Sequence, residues 1–303
     1  MDVSGLVDIH IHGAFGIDIL TASPEEMDRL AAGLAARGVA GFVPTLVPVP
    51  LADLGSLVAR LAAWMKTRRE GDGRGAMPLG IHFEGPFVSP KRVGALHEGA
   101  LLDGKDDRAV AAFFGAAAGF PGRGVVTLAP EIPGGIDLVR EFSRRGFLVA
   151  IGHTEADART LDRAAEAGAR HMTHFGNAMR PLHHRDVGPI GWGLASDAVT
   201  VDVIADLHHL SADMLRLVFK AKGPEGVALI SDAVPAAGLP DGPYPIWGET
   251  LTLRGGVVRN ASGNLAGSAA TLDQCVERLA SSGIPREAAL RSGSGVPRRL
   301  LGL

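Results

Sequence analysis

The chain has 303 residues, of which 46% are hydrophobic and only 5% aromatic. Its 30 basic and 33 acidic residues give a formal net charge of −3, which excludes a general attraction to nucleic acid or to an anionic membrane surface. No basic-then-apolar leader precedes Val7 and no run of 18 apolar residues lacks a charge, so we expect no membrane span. A single cysteine, Cys275, excludes a disulfide within the chain and permits a reducing compartment. We therefore expect a cytoplasmic protein.

Apolar, β-branched runs alternate with amphipathic stretches along the whole chain. Strands are predicted at 7–12, 41–47, 79–84, 125–130, 147–153, 171–174, 200–205 and 227–231, and helices at 24–37, 50–69, 106–118, 135–145, 156–167 and 211–221. Eight strands with helices between them predict an α/β fold of the (β/α)8 TIM barrel type, as one catalytic domain over residues 1–303. A doubly wound open sheet is the alternative, but no dinucleotide or phosphate-loop fingerprint follows any strand.

Histidines and carboxylates stand at the ends of five predicted strands. His10 and His12 lie two residues apart on the first strand, so their imidazoles share one face. The functional residues of a barrel lie at the C-terminal ends of its strands. The candidate metal ligands at these ends are His10, His12, Glu84, His153, His174 and Asp232. Imidazole and carboxylate ligands predict a divalent metal; we expect zinc, although iron, manganese and cobalt accept the same ligands.

Six short motifs occur in order over nearly the whole chain. They are His-Phe-Glu-Gly-Pro-Phe at 82–87, Thr-Leu-Ala-Pro-Glu at 127–131, Gly-His-Thr at 152–154, Thr-His-Phe-Gly-Asn-Ala-Met at 173–179, Ser-Asp-Ala at 231–233 and Leu-Ala-Gly-Ser at 265–268. Together they resemble the N-acetylglucosamine-6-phosphate deacetylases of the amidohydrolase superfamily. The resemblance implies metal-dependent hydrolysis of the acetamide of N-acetylglucosamine 6-phosphate, which releases acetate and glucosamine 6-phosphate.

The resemblance also assigns catalytic roles. It implies that Glu84, His153 and His174 hold the metal. Asp232 would take a proton from the activated water and later deliver it to the departing nitrogen, so it should be ionised at the start of the cycle. Family members that keep the pair formed here by His10 and His12 can hold two metals. We expect one tightly held metal and a second that depends on supply.

For the substrate, an amino-sugar phosphate, the resemblance assigns the phosphate to Asn177 and to the backbone amide of Ala178. Arg185 is a further phosphate contact, which the family contributes across a dimer interface, and this implies a homodimer. The planar guanidinium suits the task because it pairs two phosphate oxygens at once. His209 matches a histidine that contacts the acetamide and sugar hydroxyls, and His97 is a weaker match to another sugar-binding histidine.

The chain departs from the family pattern in three ways, one of which is Gly176 in place of a large apolar residue within the motif at 173–179. The β-sandwich that usually flanks the barrel is expected to be absent or vestigial, because both of its sequence segments are missing. Leu207 stands where the family usually has glycine, and it would be strained if the backbone there needs a positive φ. Two alternatives therefore stay open: a related deacetylase or other amidohydrolase, which acts on the N-acetyl derivative of galactosamine 6-phosphate or on an unphosphorylated N-acyl substrate, and a weakly active sugar-phosphate-binding barrel.

Overall fold

Eight strands alternate with helices in the computed structural model, which describes residues 5–70 and 75–303. The strands are β1 (Leu6–Ile11), β2 (Val39–Leu46), β3 (Gly80–Glu84), β4 (Arg123–Leu128), β5 (Leu148–Ile151), β6 (His171–Met172), β7 (Thr200–Ile204) and β8 (Val227–Ile230). Each predicted strand is present, with bounds within about two residues of those expected from the sequence, which is the usual uncertainty of a strand end.

Helices follow most of these strands. They are α1 (Pro24–Ala35), α2 (Leu51–Glu70), α3 (Asp107–Ala116), α4 (Gly135–Arg144), α5 (Ala158–Ala167), α6 (Gly188–Ala195), α7 (Ala212–Lys222), α8 (Leu272–Ser281), α9 (Arg286–Ser292) and α10 (Gly295–Leu301). The predicted start of α1 is confirmed, since Ser23 and Glu26 form a capping box ahead of an N-terminal proline. Among the described residues, no helix combines the length and apolar character needed to cross a membrane.

The chain forms two compact units. The first comprises Met1–Thr45, Thr67–Leu79 and Val203–Leu303, and the second comprises Leu46–Lys66 and Gly80–Asp202. One domain over residues 1–303 stays a prediction.

A parallel sheet organises the second unit. Strand β3 pairs with β4, β4 with β5, β5 with β6, and β6 with the start of β7. Buried phenylalanines pack beside the sheet; the Phe113 ring lies 5.6 Å from that of Phe83 and 5.2 Å from that of Phe87. Because parallel strands run in the same direction, the C-terminal ends of β3, β5 and β6 lie at one edge of this sheet.

In the first unit, β1 pairs in parallel with β2, and its end meets the segment after β8. The amide of Asp232 donates to the carbonyl of His10 at 3.0 Å, and the amide of His12 donates to the carbonyl of Ala233 at 2.8 Å. These backbone bonds hold the C-terminal ends of β1 and β8 side by side. The predicted ligands at the end of β1, His10 and His12, therefore lie at the same edge of this unit as Asp232, the predicted ligand after β8.

A four-stranded antiparallel sheet completes the first unit. Its strands are β9 (Gly242–Ile246), β10 (Glu249–Arg254), β11 (Val257–Arg259) and β12 (Leu265–Ser268). In β10 buried and exposed residues alternate, as in a sheet with one solvated face. The sequence analysis assigned no strands here. The alternation is short, and prolines at 243 and 245 weaken the strand signal.

Candidate active site

Three predicted ligands converge in the second unit. Glu84 is the last residue of β3, and His153 and His174 each lie two residues beyond the ends of β5 and β6. The Glu84 Oε1 atom lies 3.1 Å from His153 Nε2 and 3.0 Å from His174 Nε2, and the two nitrogens are 3.1 Å apart. All three side chains are buried. The strand ends thus bring together residues that are up to 90 positions apart in the chain.

The hydrogen bonding of His153 shows that this group suits a cation. Its Nδ1 atom lies 2.7 Å from the carbonyl oxygen of Arg92, which can only accept, so Nδ1 carries the hydrogen. In the neutral ring Nε2 then holds a lone pair, which faces the Glu84 carboxylate oxygen. Two lone pairs at this separation repel, whereas a divalent cation between them binds both. Ligand atoms around tetrahedral zinc lie roughly 3.3 Å apart, close to the observed spacing.

The loop that carries His174 is fixed by Asp202. The buried carboxylate of Asp202 accepts from the backbone amide of His174 and lies 2.9 Å from His171 Nε2. His171 therefore contacts the aspartate that holds the ligand loop. Nε2 of His82, on the same strand as Glu84, lies 2.8 Å from the hydroxyl of Thr127.

The remaining predicted ligands form a second group, within the first unit. The Nε2 atoms of His10 and His12 are 3.1 Å apart, and Asp232 Oδ1 lies 3.4 Å from the former and 3.2 Å from the latter. The ring of Trp247, at the turn between β9 and β10, packs edge-on against His12 with centroids 5.2 Å apart. Two imidazoles and one carboxylate at this spacing are again a donor set for a divalent metal.

Asp8 supports this second group of ligands. The sequence analysis assigned no such role to Asp8. Its Oδ1 atom accepts from the amides of His10 and Ser231, at 3.3 and 3.2 Å, and its Oδ2 atom accepts from the Ser231 hydroxyl. Burial raises the pKa of Asp8 to about 6, against the lowering effect of these bonds. The carboxylate ties β1 to the residue that precedes Asp232.

Backbone strain concentrates at the predicted site residues. Among the described residues, His153, His174, Asp232 and Ala178 adopt positive φ angles of 48°, 32°, 49° and 49°, a region that L-residues rarely enter. Leu207 also has a positive φ angle, 65°, so the backbone strain expected at this position is present. Such conformations persist where the surroundings hold a functional geometry.

Comparison with known proteins identifies the chain. No protein-family model matches it. An N-acetylglucosamine-6-phosphate deacetylase of Bacillus subtilis is 39% identical over 264 residues, which cover 87% of this chain and 66% of that protein. An N-acetylgalactosamine-6-phosphate deacetylase of Escherichia coli is 35% identical, over 98% of this chain and 77% of that protein. A solved structure is also similar: the N-acetylglucosamine-6-phosphate deacetylase of Mycobacterium smegmatis, a mutant in complex with N-acetylglucosamine 6-phosphate. Its sequence is 34% identical, and the two structures superpose with a TM-score of 0.89 over 99% of this chain and 77% of that one.

The chain belongs to the N-acetylglucosamine-6-phosphate deacetylase family. The agreement with the Mycobacterium smegmatis deacetylase shows that its fold is the (β/α)8 barrel of the amidohydrolase type. The predicted barrel is therefore confirmed, and the doubly wound sheet is excluded.

The residues expected to bind phosphate lie on one loop of this deacetylase-family chain. Asn177 donates from its side chain to the carbonyl of His174 at 3.1 Å, and the carbonyl of Ala178 accepts from the amide of Thr154 at 3.1 Å. Arg185 is exposed, and its guanidinium lies 2.8 Å from His184. The structure ties Asn177 and Ala178 to the ligand loops and leaves Arg185 at the surface. Their phosphate roles stay predictions.

The two histidines expected to bind the sugar differ in their surroundings. His97 is exposed at the start of a short 3-10 turn, Glu98–Ala100. The side chain of His209 is 6% exposed and lies 2.7 Å, through Nδ1, from the carboxylate of Asp206. Asp206 lies three residues before His209 in the chain, and this proximity is the sequence signal that could have singled it out.

Proposed function

We propose that this deacetylase-family chain hydrolyses the acetamide of N-acetylglucosamine 6-phosphate to acetate and glucosamine 6-phosphate. The observation that carries the proposal is the buried group formed by Glu84, His153 and His174, whose ligand atoms lie within 3.1 Å of one another. An amide resists water because water is a weak nucleophile and the amine leaves poorly, so such a reaction needs both an activating cation and a proton donor.

The residues divide these tasks. Glu84, His153 and His174 would hold a divalent ion, which when bound lowers the pKa of water and polarises a carbonyl. Asp232 is the general base that removes a proton from water and the acid that returns it to the departing nitrogen. The left-handed backbone at Asp232, and the hydrogen bond that its amide donates to the carbonyl of His10, hold the backbone of this residue at the end of β8. Its orientation therefore depends on the backbone rather than on a flexible loop.

The finer assignments are part of the same proposal. Zinc is the expected metal, and His10 with His12 provides a second site whose occupancy depends on supply. Asn177, the amide of Ala178 and Arg185 bind the phosphate, with Arg185 acting across a homodimer. His209 and His97 contact the sugar. A cytoplasmic location fits the single buried cysteine, since no second thiol exists with which it could pair in the chain.

A second candidate substrate is N-acetylgalactosamine 6-phosphate. The Escherichia coli relative, which is 35% identical over nearly the whole chain, carries that epimer in its name. The two sugars differ only in the orientation of one hydroxyl group, so the same metal ligands and the same base serve either reaction. The preference between them is set by hydroxyl contacts.

The test is acetate release by zinc-reconstituted protein from N-acetylglucosamine 6-phosphate, its galacto epimer and unphosphorylated N-acetylglucosamine. We expect turnover of the first substrate, and a loss of at least about a hundredfold in kcat for Asp232→Asn, because general acid–base catalysis contributes about 10²–10⁴-fold. Asp213→Asn, at an aspartate whose side chain is 88% exposed, is the matched control and should turn over normally. Absence of acetate from folded, metal-loaded protein would refute the proposal, and faster release from the galacto epimer would favour the second candidate.

A further inference from the structure

The carboxylate of Asp206 is saturated with hydrogen-bond donors. Its Oδ1 atom accepts from the backbone amides of His208 and His209, both at 2.9 Å. Its Oδ2 atom accepts from the Ser268 hydroxyl at 3.0 Å and lies 2.7 Å from Nδ1 of His209. The side chain is only 2% exposed. All of its close polar partners are thus placed to donate.

This environment decides where the proton between Asp206 and His209 lies. The two backbone amides can only donate, and the Ser268 hydroxyl and Nδ1 of His209 can both donate, so an ionised carboxylate can accept all four hydrogen bonds at once. Burial alone would raise the pKa of Asp206, but the hydrogen bonds from the His209 side chain and from the amides of His208 and His209 outweigh it and hold the pKa well below its usual range. Asp206 is therefore ionised, and the proton lies on Nδ1 of His209.

We infer that Asp206 and Ser268 are positioning residues that hold His209 as its Nδ1–H tautomer, so that Nε2 presents a lone pair to a hydroxyl donor of the amino sugar. A neutral imidazole has one donor and one acceptor nitrogen, and the nitrogen bound to Asp206 is the donor. Nε2 therefore accepts a hydrogen bond and does not donate one to the acetyl oxygen. The inference rests on the proposed function, which makes His209 a sugar contact, and it specifies the chemistry of that contact.

Ser268 connects this arrangement to the proposed catalytic base. Its hydroxyl donates to Asp206, while its backbone amide donates to the carbonyl of Asp232 at 2.8 Å. The preceding glycine, Gly267, has φ of 66°, and a Cβ atom there would lie 2.9 Å from the Asp232 carbonyl oxygen and 2.4 Å from the side chain of Val234. The Leu-Ala-Gly-Ser motif therefore packs on the base and sets the orientation of the sugar-binding histidine at the same time.

The first experiment reads the tautomer directly in the zinc-loaded 303-residue chain. Histidine-selective ¹⁵N labelling and long-range ¹H–¹⁵N correlation distinguish a protonated from an unprotonated ring nitrogen, and His209→Gln assigns the signal. We expect Nδ1 to be protonated and Nε2 unprotonated. A ring with hydrogen on Nε2, alone or on both nitrogens, would overturn the inference. The tautomer is read from the wild-type chain, and the variant serves only to assign the signal.

The second experiment measures the consequence for substrate. Asp206→Asn should raise KM for N-acetylglucosamine 6-phosphate about tenfold with a smaller change in kcat, because about one hydrogen bond is lost on binding. Of the 3-deoxy and 4-deoxy substrate analogues, one should bind the wild type about tenfold more weakly than the parent sugar, and the penalty should shrink in Asp206→Asn. The KM of Ser268→Ala should lie between those of the wild type and Asp206→Asn, since this variant removes one donor and keeps the carboxylate.

His208→Ala is the matched control, because the exposed side chain of His208 is removed while its backbone amide still donates to Asp206. Its KM should change less than about twofold. Equal binding of both deoxy analogues and the parent sugar by the wild type would overturn the inference, as would an unchanged KM in Asp206→Asn. If the wild type deacetylates no N-acetylhexosamine 6-phosphate, the proposed function fails, and the NMR measurement still decides whether Asp206 sets the tautomer.

Discussion

Leu207 is a leucine in a backbone conformation that favours glycine. Its φ of 65° lies in the left-handed region, which costs an L-residue roughly 1–2 kcal/mol. The turn needs this conformation because the amides of His208 and His209 both return to the Asp206 carboxylate. We predict that Leu207→Gly has a free energy of unfolding about 1 kcal/mol higher than that of Leu207→Ala.

The magnitude follows from a comparison in which most contributions cancel. Both variants remove the same side chain beyond Cβ, and this side chain is already 39% exposed, so the loss of burial is nearly equal. Only glycine relieves the strain of roughly 1–2 kcal/mol. Against this, glycine stabilises the unfolded chain by roughly 0.4–1 kcal/mol relative to alanine, which leaves a difference of about 1 kcal/mol.

Urea unfolding of both variants, with equal metal loading, measures this difference. The control is the same pair of substitutions at Leu217, which is 48% exposed within α7, where alanine should be more stable than glycine by about 1 kcal/mol. The order of stability should therefore reverse between the two sites. An alanine variant at 207 that is as stable as the glycine variant, with unchanged urea dependence, would refute the strain argument.

Three further predictions concern the metal, the phosphate and the core. Glu84→Gln removes the charge shared by two imidazoles, so zinc affinity measured by competition with a chelator should fall by at least about tenfold; full zinc content after dialysis would contradict this. Arg185→Ala should raise KM for a phosphorylated substrate far more than for unphosphorylated N-acetylglucosamine, and equal effects on both would exclude a phosphate role. Gly80→Ala places a Cβ atom 1.8 Å from the carbonyl oxygen of Arg123, so thermal unfolding should show a free energy of unfolding lower by at least about 2 kcal/mol. The control, Gly115→Ala in α3, has nothing within 4 Å of the added Cβ atom and should stabilise the protein by up to about 1 kcal/mol. Equal stabilities of the two variants would contradict the clash.

Elements with a strong local pattern could be predicted from the sequence. Strand β8 reads Val-Ala-Leu-Ile and is buried throughout, and Ser23 marks the start of α1 by its capping box. Helix α6 was missed because Gly188, Gly191 and Gly193 lower its helix propensity. The antiparallel sheet from β9 to β12 was missed because its strands are short and two prolines interrupt the first. Tertiary packing decides the structure of such segments.

The sequence by itself determined which residue types stand at the ends of the strands, and hence that a divalent metal site was to be expected; the resemblance of its motifs added the expectation of a hydrolase. That information is local: Glu84 ends a buried strand, and His153 and Asp232 each follow one, which is where barrels carry their functional residues. Only the tertiary structure decided which atoms meet and which groups support them. Asp206 and Ser268 are 62 residues apart, and no local pattern marks their bond, because a hydrogen bond depends on distances that folding alone creates.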